Sequence, residues 1–154
     1  MKPGAITETT LLVIGFGNTL RQDDAAGPLV AERISALGIP GVHALACPQL
    51  SPELAAELAD VPAVVFVDAT TDTESEVELV HIAPADSSRV TTHAADPRAL
   101  LAMTQEIYDT VPAAWLLKVP AVNFEHGEEL SVVTRRGVEA AVDEIRTLAA
   151  EWTF

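Results

Sequence analysis

Short apolar runs alternate along this chain with longer segments in which apolar residues recur at helical spacing. The runs predict buried strands, because they are brief, rich in β-branched residues and almost free of charge. Four such runs are Leu11–Gly15, Val42–Ala46, Ala63–Asp68 and Ala113–Val119. The segments between them predict helices over Ala25–Leu37, from Ser51 to about Ala59, from Asp96-Pro97 onward, and from Ser131 or Thr134 to near the end of the chain.

A fifth strand, Val77–Ile82, follows its predecessor after only about eight residues. That is too few for the helical crossover that joins two parallel strands, so we expect this strand to run antiparallel at an edge of the sheet. The pattern therefore predicts an α/β fold, a three-layer α/β/α sandwich with a mostly parallel five-stranded sheet and one antiparallel strand. The length of 154 residues fits a single domain, in which residues 1–9 form a loose leader.

Composition narrows the classes of function. The formal charge of −14 at pH 7 argues against a nucleic-acid binder, because contacts to phosphates need clustered Lys and Arg. The single cysteine, Cys47, excludes an internal disulfide and favours a reducing compartment. The polar first ten residues do not resemble a secretion signal, and no apolar run is long enough for a membrane helix. We therefore expect a cytoplasmic protein that does not contact membranes.

Three polar side chains follow separate strands of the predicted sheet. Asp24 lies in the turn after the first strand, Asp68 ends the third strand, and His93 precedes the helix that begins near Asp96. Open sheets of this kind bind ligands beyond the carboxyl ends of their strands. Two carboxylates and an imidazole suit zinc or nickel and leave a coordination position free. Simpler roles stay open at this point: Asp23 or Asp24 as a helix cap, Asp68 in a turn, and His93 as a surface residue.

Other catalytic or binding motifs are incomplete or missing. Gly15-Phe16-Gly17 suggests a dinucleotide site, but the third glycine is replaced by Leu20, and the Asp23-Asp24 pair would repel a pyrophosphate. The sequence contains neither a Gly-x-Ser-x-Gly elbow nor a His-Glu-x-x-His motif. Cys47 paired with His93 is a conceivable thiol nucleophile, although a small buried thiol is the favoured interpretation. Hydrolysis would then need a water activated by a cation, or by Asp24 or Asp68 as general base.

Two sequence motifs and one histidine resemble those of a known family. The stretch Gly15–Val30 reads Gly-Phe-Gly-Asn-Thr-Leu-Arg-Gln-Asp-Asp-Ala-Ala-Gly-Pro-Leu-Val and resembles the opening motif of the hydrogenase maturation proteases. Phe66-Val67-Asp68-Ala69 is similar to the family's second motif, a strand that ends in Asp-Ala. His93 stands where the family carries its site histidine. The resemblance implies an aspartic-type endopeptidase that removes a C-terminal extension from the large subunit of a nickel-iron hydrogenase precursor after nickel insertion.

The same resemblance implies roles for individual residues. Asp24, Asp68 and His93 become the catalytic and metal-binding residues, and Gly17, Asn18 and Gln49 become the substrate-binding ones. The implied metal is nickel that arrives with the precursor, for which zinc or cadmium can substitute in crystals. A non-catalytic module that senses nickel or binds the tail of a metalloprotein would need the same three ligands, so it stays open as the alternative.

Overall fold

The computed structural model describes residues 8–86 and 96–152 and contains one five-stranded sheet. Its strands are β1 (Leu11–Phe16), β2 (Val42–Cys47), β3 (Ala63–Thr70), β4 (Glu78–Ile82) and β5 (Ala113–Pro120). Its helices are α1 (Ala26–Leu37), α2 (Leu54–Ala59), α3 (Pro97–Tyr108) and α4 (Val132–Trp152), and a short 3₁₀ helix, Gln22–Ala25, precedes α1. The first seven residues of the predicted leader, and His93, lie outside the described residues.

The sheet has the predicted mixture of strand directions. Its strand order is β2-β1-β3-β5-β4, in which β1 pairs in parallel with β2 and β3, and β3 pairs in parallel with β5. The strand β4 runs antiparallel to β5 and forms an edge. There Glu78 lies beside Lys118, with 3.6 Å between the carboxylate and the ammonium group. The predicted α/β class with one antiparallel edge strand is therefore confirmed.

Successive side chains of the central strands are buried on opposite sides of the sheet. Leu11, Val13, Val65 and Val67 pack in the same apolar cluster as residues of α1 and α4. Leu12, Ile14, Val64 and Phe66 pack in a second cluster with residues of α2 and α3. Helices cover both faces, and this explains why β1 and β3 are apolar at nearly every position rather than at every second one.

Some local expectations hold and others need correction. Asp96 caps α3, because its carboxylate accepts a hydrogen bond of 3.0 Å from the amide of Arg98. The helix predicted from Ser51 begins only at Leu54, and its capping residue, Glu53, makes no side-chain cap. Helical spacing places Ile107 on the same face of α3 as Leu100 and Met103 and so predicts its burial. Ile107 is instead 62% exposed, because it lies in the last turn of the helix. No helix in the described ranges is long and apolar enough to cross a membrane.

Candidate functional site

The turn after β1 wraps around Asp24. The backbone amide of Asn18 donates a hydrogen bond of 2.7 Å to Oδ2 of Asp24, and the Asn18 side chain accepts one of 2.9 Å from the amide of Leu20. Gly17 has a φ of +152°, and a Cβ at this position would overlap the carbonyl oxygen of Asp24. Only glycine fits such a close approach of two backbone segments. The turn therefore holds the Asp24 carboxylate close to the carboxyl end of β1.

Asp68 lies near the carboxyl end of β3, the strand that pairs with β1. Burial, together with the smaller effect of the nearby negative charge of Asp24, raises the pKa of this carboxyl group to about 6. The charge of Asp72 acts in the same direction, whereas a hydrogen bond from the backbone of Ala69 opposes the shift. Asp24 and Asp68 thus come from separate segments and lie close enough for their charges to repel each other.

This carboxylate pair has the chemistry of a site for a divalent cation. A cation between two carboxylates cancels their repulsion, and oxygen donors of this kind accept several first-row divalent metals. The third predicted ligand, His93, lies outside the described residues. Among residues 8–86 and 96–152, no three His, Cys, Asp or Glu side chains form a complete metal site. The structure therefore brings two of the three predicted residues together, and the complete ligand set stays a prediction.

A surface pocket of about 370 Å³ adjoins the Asp24 turn. Gly17 and Asn18, two of the three predicted substrate-binding residues, line it. Its remaining lining residues are Thr19, Leu20, Pro28, Glu32, Ala46, Cys47 and Pro48. The third predicted residue, Gln49, is exposed and follows Pro48 directly, but it is not part of the lining. The pocket offers space for a bound chain next to the turn that holds Asp24, while the binding roles of these residues stay predictions.

Sequence reasoning missed the role of Asp23, the first acid of the pair. From the sequence alone it stayed open that Asp23 or Asp24 caps a helix. Neither the 3₁₀ helix nor α1 has a side-chain cap, so this interpretation is wrong for both acids. Asp23 is instead fully buried and accepts hydrogen bonds from Val122, Asn123 and Ser131. Burial alone would raise the pKa of Asp23, but these hydrogen bonds outweigh it and lower the pKa. Partners about a hundred residues away leave no local signal in the sequence.

Cys47 lies at the end of β2 and also lines the pocket. Burial raises the pKa of its thiol, which reduces the thiolate fraction at neutral pH and disfavours a nucleophilic role. On the hydrogenase precursor that the sequence resemblance implies as substrate, we expect Cys47→Ser to act within about twofold of the wild-type rate, whereas removing a true nucleophile costs orders of magnitude. The rate is measured by mass spectrometry, with iodoacetamide-treated wild type in parallel. A loss of activity in the variant would restore the thiol mechanism.

Solved structures of similar fold are known, although no family model and no curated relative matches the sequence. A [NiFe] hydrogenase maturation protease, HycI from Thermococcus kodakarensis, is 27% identical with a TM-score of 0.68, over 94% of this chain and 93% of that one. The hydrogenase maturating endopeptidase HybD from Escherichia coli is 18% identical with a TM-score of 0.74, over 93% of each chain. A hydrogenase 2 maturation peptidase from a Thaumarchaeota archaeon is 22% identical with a TM-score of 0.71, over 92% of this chain and 99% of that one.

Proposed function

We propose that the chain is a peptidase that removes a C-terminal extension from the large subunit of a nickel-iron hydrogenase after nickel insertion. Its similarity in fold and sequence to the [NiFe] hydrogenase maturation protease HycI, 27% identical over 94% of the chain, supports this proposal. The observation that carries this proposal is the convergence of Asp24 and Asp68, from two separate segments, at the carboxyl edge of the sheet. With a single cysteine, we expect the reaction to take place in a reducing compartment such as the cytoplasm.

The nickel of the precursor is the feature that the site recognises. Asp24 and Asp68 bind it together with His93, and each carboxylate gains a partner for its negative charge. A precursor without nickel would leave the two carboxylates repelling each other, with nothing to hold the scissile segment in place. In this proposal the charge of the site accounts for the need for a cation, and the nickel of the precursor meets that need only after metal insertion.

Hydrolysis of the peptide bond needs a base for the attacking water and an acid for the leaving amine. Asp68 suits both roles, because one of its carboxylate oxygens can bind the nickel while the other takes up and releases a proton. It takes a proton from the water as the water oxygen bonds to the scissile carbonyl carbon. When the carbon–nitrogen bond breaks, the same proton passes to the amine nitrogen of the released extension. The pocket beside Gly17 and Asn18, with Gln49 at its margin, binds the chain that flanks the scissile bond.

Intact-mass spectrometry of a nickel-loaded large-subunit precursor tests the proposal. Incubation with the purified chain should convert the precursor into two products whose masses add up to the precursor plus one water. A module that only senses nickel or binds the tail would form a complex with the precursor and leave its mass unchanged. That second outcome would replace the endopeptidase by the binding alternative.

A further inference from the structure

We propose that Asp23 is a positioning residue of the site: it anchors the segment 122–131 to the 3₁₀ helix and so fixes the Asp24 carboxylate next to Asp68. The inference deepens the proposed function and rests on it, because it concerns the same site. It divides the acidic pair into two roles. Asp24 faces the substrate, and Asp23 faces the interior and never contacts it.

The anchor consists of four hydrogen bonds to one buried carboxylate. Oδ2 of Asp23 accepts bonds of 2.9 Å from the amides of Val122 and Asn123 and from the hydroxyl of Ser131. Oδ1 accepts a bond of 2.7 Å from the amide of Ser131. The side chain is 0% exposed, so water cannot replace any of these partners. One residue thus joins the 3₁₀ helix to both ends of the segment 122–131.

The chemistry of this anchor requires a carboxylate. All four groups that point at Asp23 are donors, and a carboxylate has acceptor sites on both of its oxygens. An asparagine in the same place would turn an NH₂ group toward at least one donor and leave that pair unsatisfied in a buried position. The acid is therefore needed for its acceptor capacity rather than for a reaction.

Further hydrogen bonds on either side of Asp23 join the same two segments. The backbone amide of Gln22 donates a hydrogen bond of 2.9 Å to the carbonyl of Gly127. The amide of Asp23 donates one of 2.9 Å to the carbonyl of Asn123. The guanidinium Nε of Arg21 donates to the carbonyl of Phe124 over 2.9 Å. Gln22 has a φ of +45°, an unfavourable conformation for a residue with a side chain. Such a conformation persists only where its surroundings hold it, and here the joined segments do so.

The anchor acts on Asp24 because the two residues are consecutive. Asp24 is held on one side by the turn, through the amide of Asn18, and on the other by the Asp23 anchor. If the anchor is released, the strained backbone at Gln22 can relax and carry the Asp24 carboxylate away from Asp68. A misplacement of about 1 Å at a reacting group can reduce a rate by about a hundredfold.

The kinetic test compares Asp23→Asn with a core variant that is destabilised elsewhere. Ile145→Val removes one methyl group from buried packing in α4 and leaves the anchor intact. Under conditions in which each variant is fully folded, we expect Asp23→Asn to lower kcat by about 10- to 100-fold with KM nearly unchanged. Ser131→Ala, which loses only the hydroxyl bond, should show a smaller loss. Ile145→Val should keep the wild-type kcat.

A second readout does not depend on cleavage. The amide proton of Asn18 reports directly on the Asp24 carboxylate, to which it is bonded. In NMR spectra we expect its chemical shift and exchange rate to change in Asp23→Asn and Ser131→Ala, and to stay as in the wild type in Ile145→Val. If the wild type cleaves no precursor, the proposed function fails and this amide still tests the positioning role. The inference is overturned if Asp23→Asn has the same kcat and the same Asn18 amide shift and exchange rate as Ile145→Val. If Asp23→Asn does not fold, the same comparison is made with Ser131→Ala.

Discussion

Replacing Asp68 by asparagine is expected to abolish cleavage and at the same time to stabilise the fold at neutral and alkaline pH. The variant keeps the shape of the side chain, but in the proposed mechanism it can neither accept the proton of the attacking water nor provide a negative charge for the nickel. Loss of a general base alone costs about 10²- to 10⁴-fold in rate. When a replacement raises stability and removes activity, the residue has been selected for its chemistry rather than for folding.

The stability change follows from the pKa of Asp68, which rises from 3.8 in the unfolded chain to about 6 in the folded protein. The folded state therefore binds the proton more tightly, and the wild type loses stability as the pH rises from about 4 to about 6. Asparagine does not ionise, so Asp68→Asn should exceed the wild type by about 1–3 kcal/mol at pH 8, with little gain at pH 3.5. Urea unfolding at both pH values measures this difference.

Asp72→Asn is the matched control for Asp68→Asn. Its carboxylate also raises the pKa of Asp68, but it is 70% exposed and lies near Lys118 rather than in the pair. This variant should keep cleaving the precursor at a rate close to that of the wild type. An active Asp68→Asn enzyme, or one that is less stable than the wild type at pH 8, would contradict the assigned role of Asp68.

Replacing Gly27 by alanine is expected to cause a large loss of stability. A Cβ on this residue would lie 2.5 Å from the carbonyl oxygens of both Phe16 and Val67, so the start of α1 packs directly on the ends of β1 and β3. These backbone atoms cannot move aside without separating α1 from the sheet. We expect a loss of about 3 kcal/mol or more in the free energy of unfolding, a large fraction of the stability of an ordinary domain. Cleavage should also fall, because the Asp24 turn leads into α1.

Gly38→Ala is the control that separates crowding from backbone conformation. Gly38 ends α1 with a φ of +61°, and a Cβ there would meet nothing within 4 Å. Alanine at this position should lower the free energy of unfolding by about 1–2 kcal/mol, because of the left-handed conformation alone. Cleavage should stay intact. Chemical denaturation of both variants distinguishes the two costs. Equal losses in the two variants would show that close packing of α1 on the sheet is not what Gly27 provides.

Much of the fold follows from local patterns in the sequence. The uncharged run at Ala63 predicted β3, and the short connection before Val77 predicted an antiparallel edge strand, because loop length limits the possible crossovers. Local patterns do not reveal which strand lies next to which, and the pairing of β4 with β5 was not predictable from its neighbours in sequence. The predicted burial of Ile107 was wrong for a similar reason: the spacing of apolar residues does not reveal how far the rest of the protein covers a helix.

The candidate site was predictable to a different extent. Asp24 and Asp68 could be singled out because both follow strands whose carboxyl ends meet, and the structure brings them together. The function of Asp23 could not, because its partners at 122–131 are distant in sequence and two of its bonds come from the backbone amides of Val122 and Asn123, which any residue other than proline can provide. Such partners cannot be predicted from the pattern of side chains along the sequence. In the sequence the two acids are equivalent, and only the burial of Asp23 in the structure distinguishes its role from that of Asp24.

The most direct test of the account is the rate at which the chain cleaves nickel-loaded and nickel-free samples of the same precursor. Wild type, Asp24→Asn and His93→Ala are compared under identical conditions. The account predicts that the wild type cleaves only the nickel-loaded precursor, and that both variants cleave neither form at an appreciable rate. Equal wild-type rates on the two forms, or wild-type-like cleavage by either variant, would contradict it.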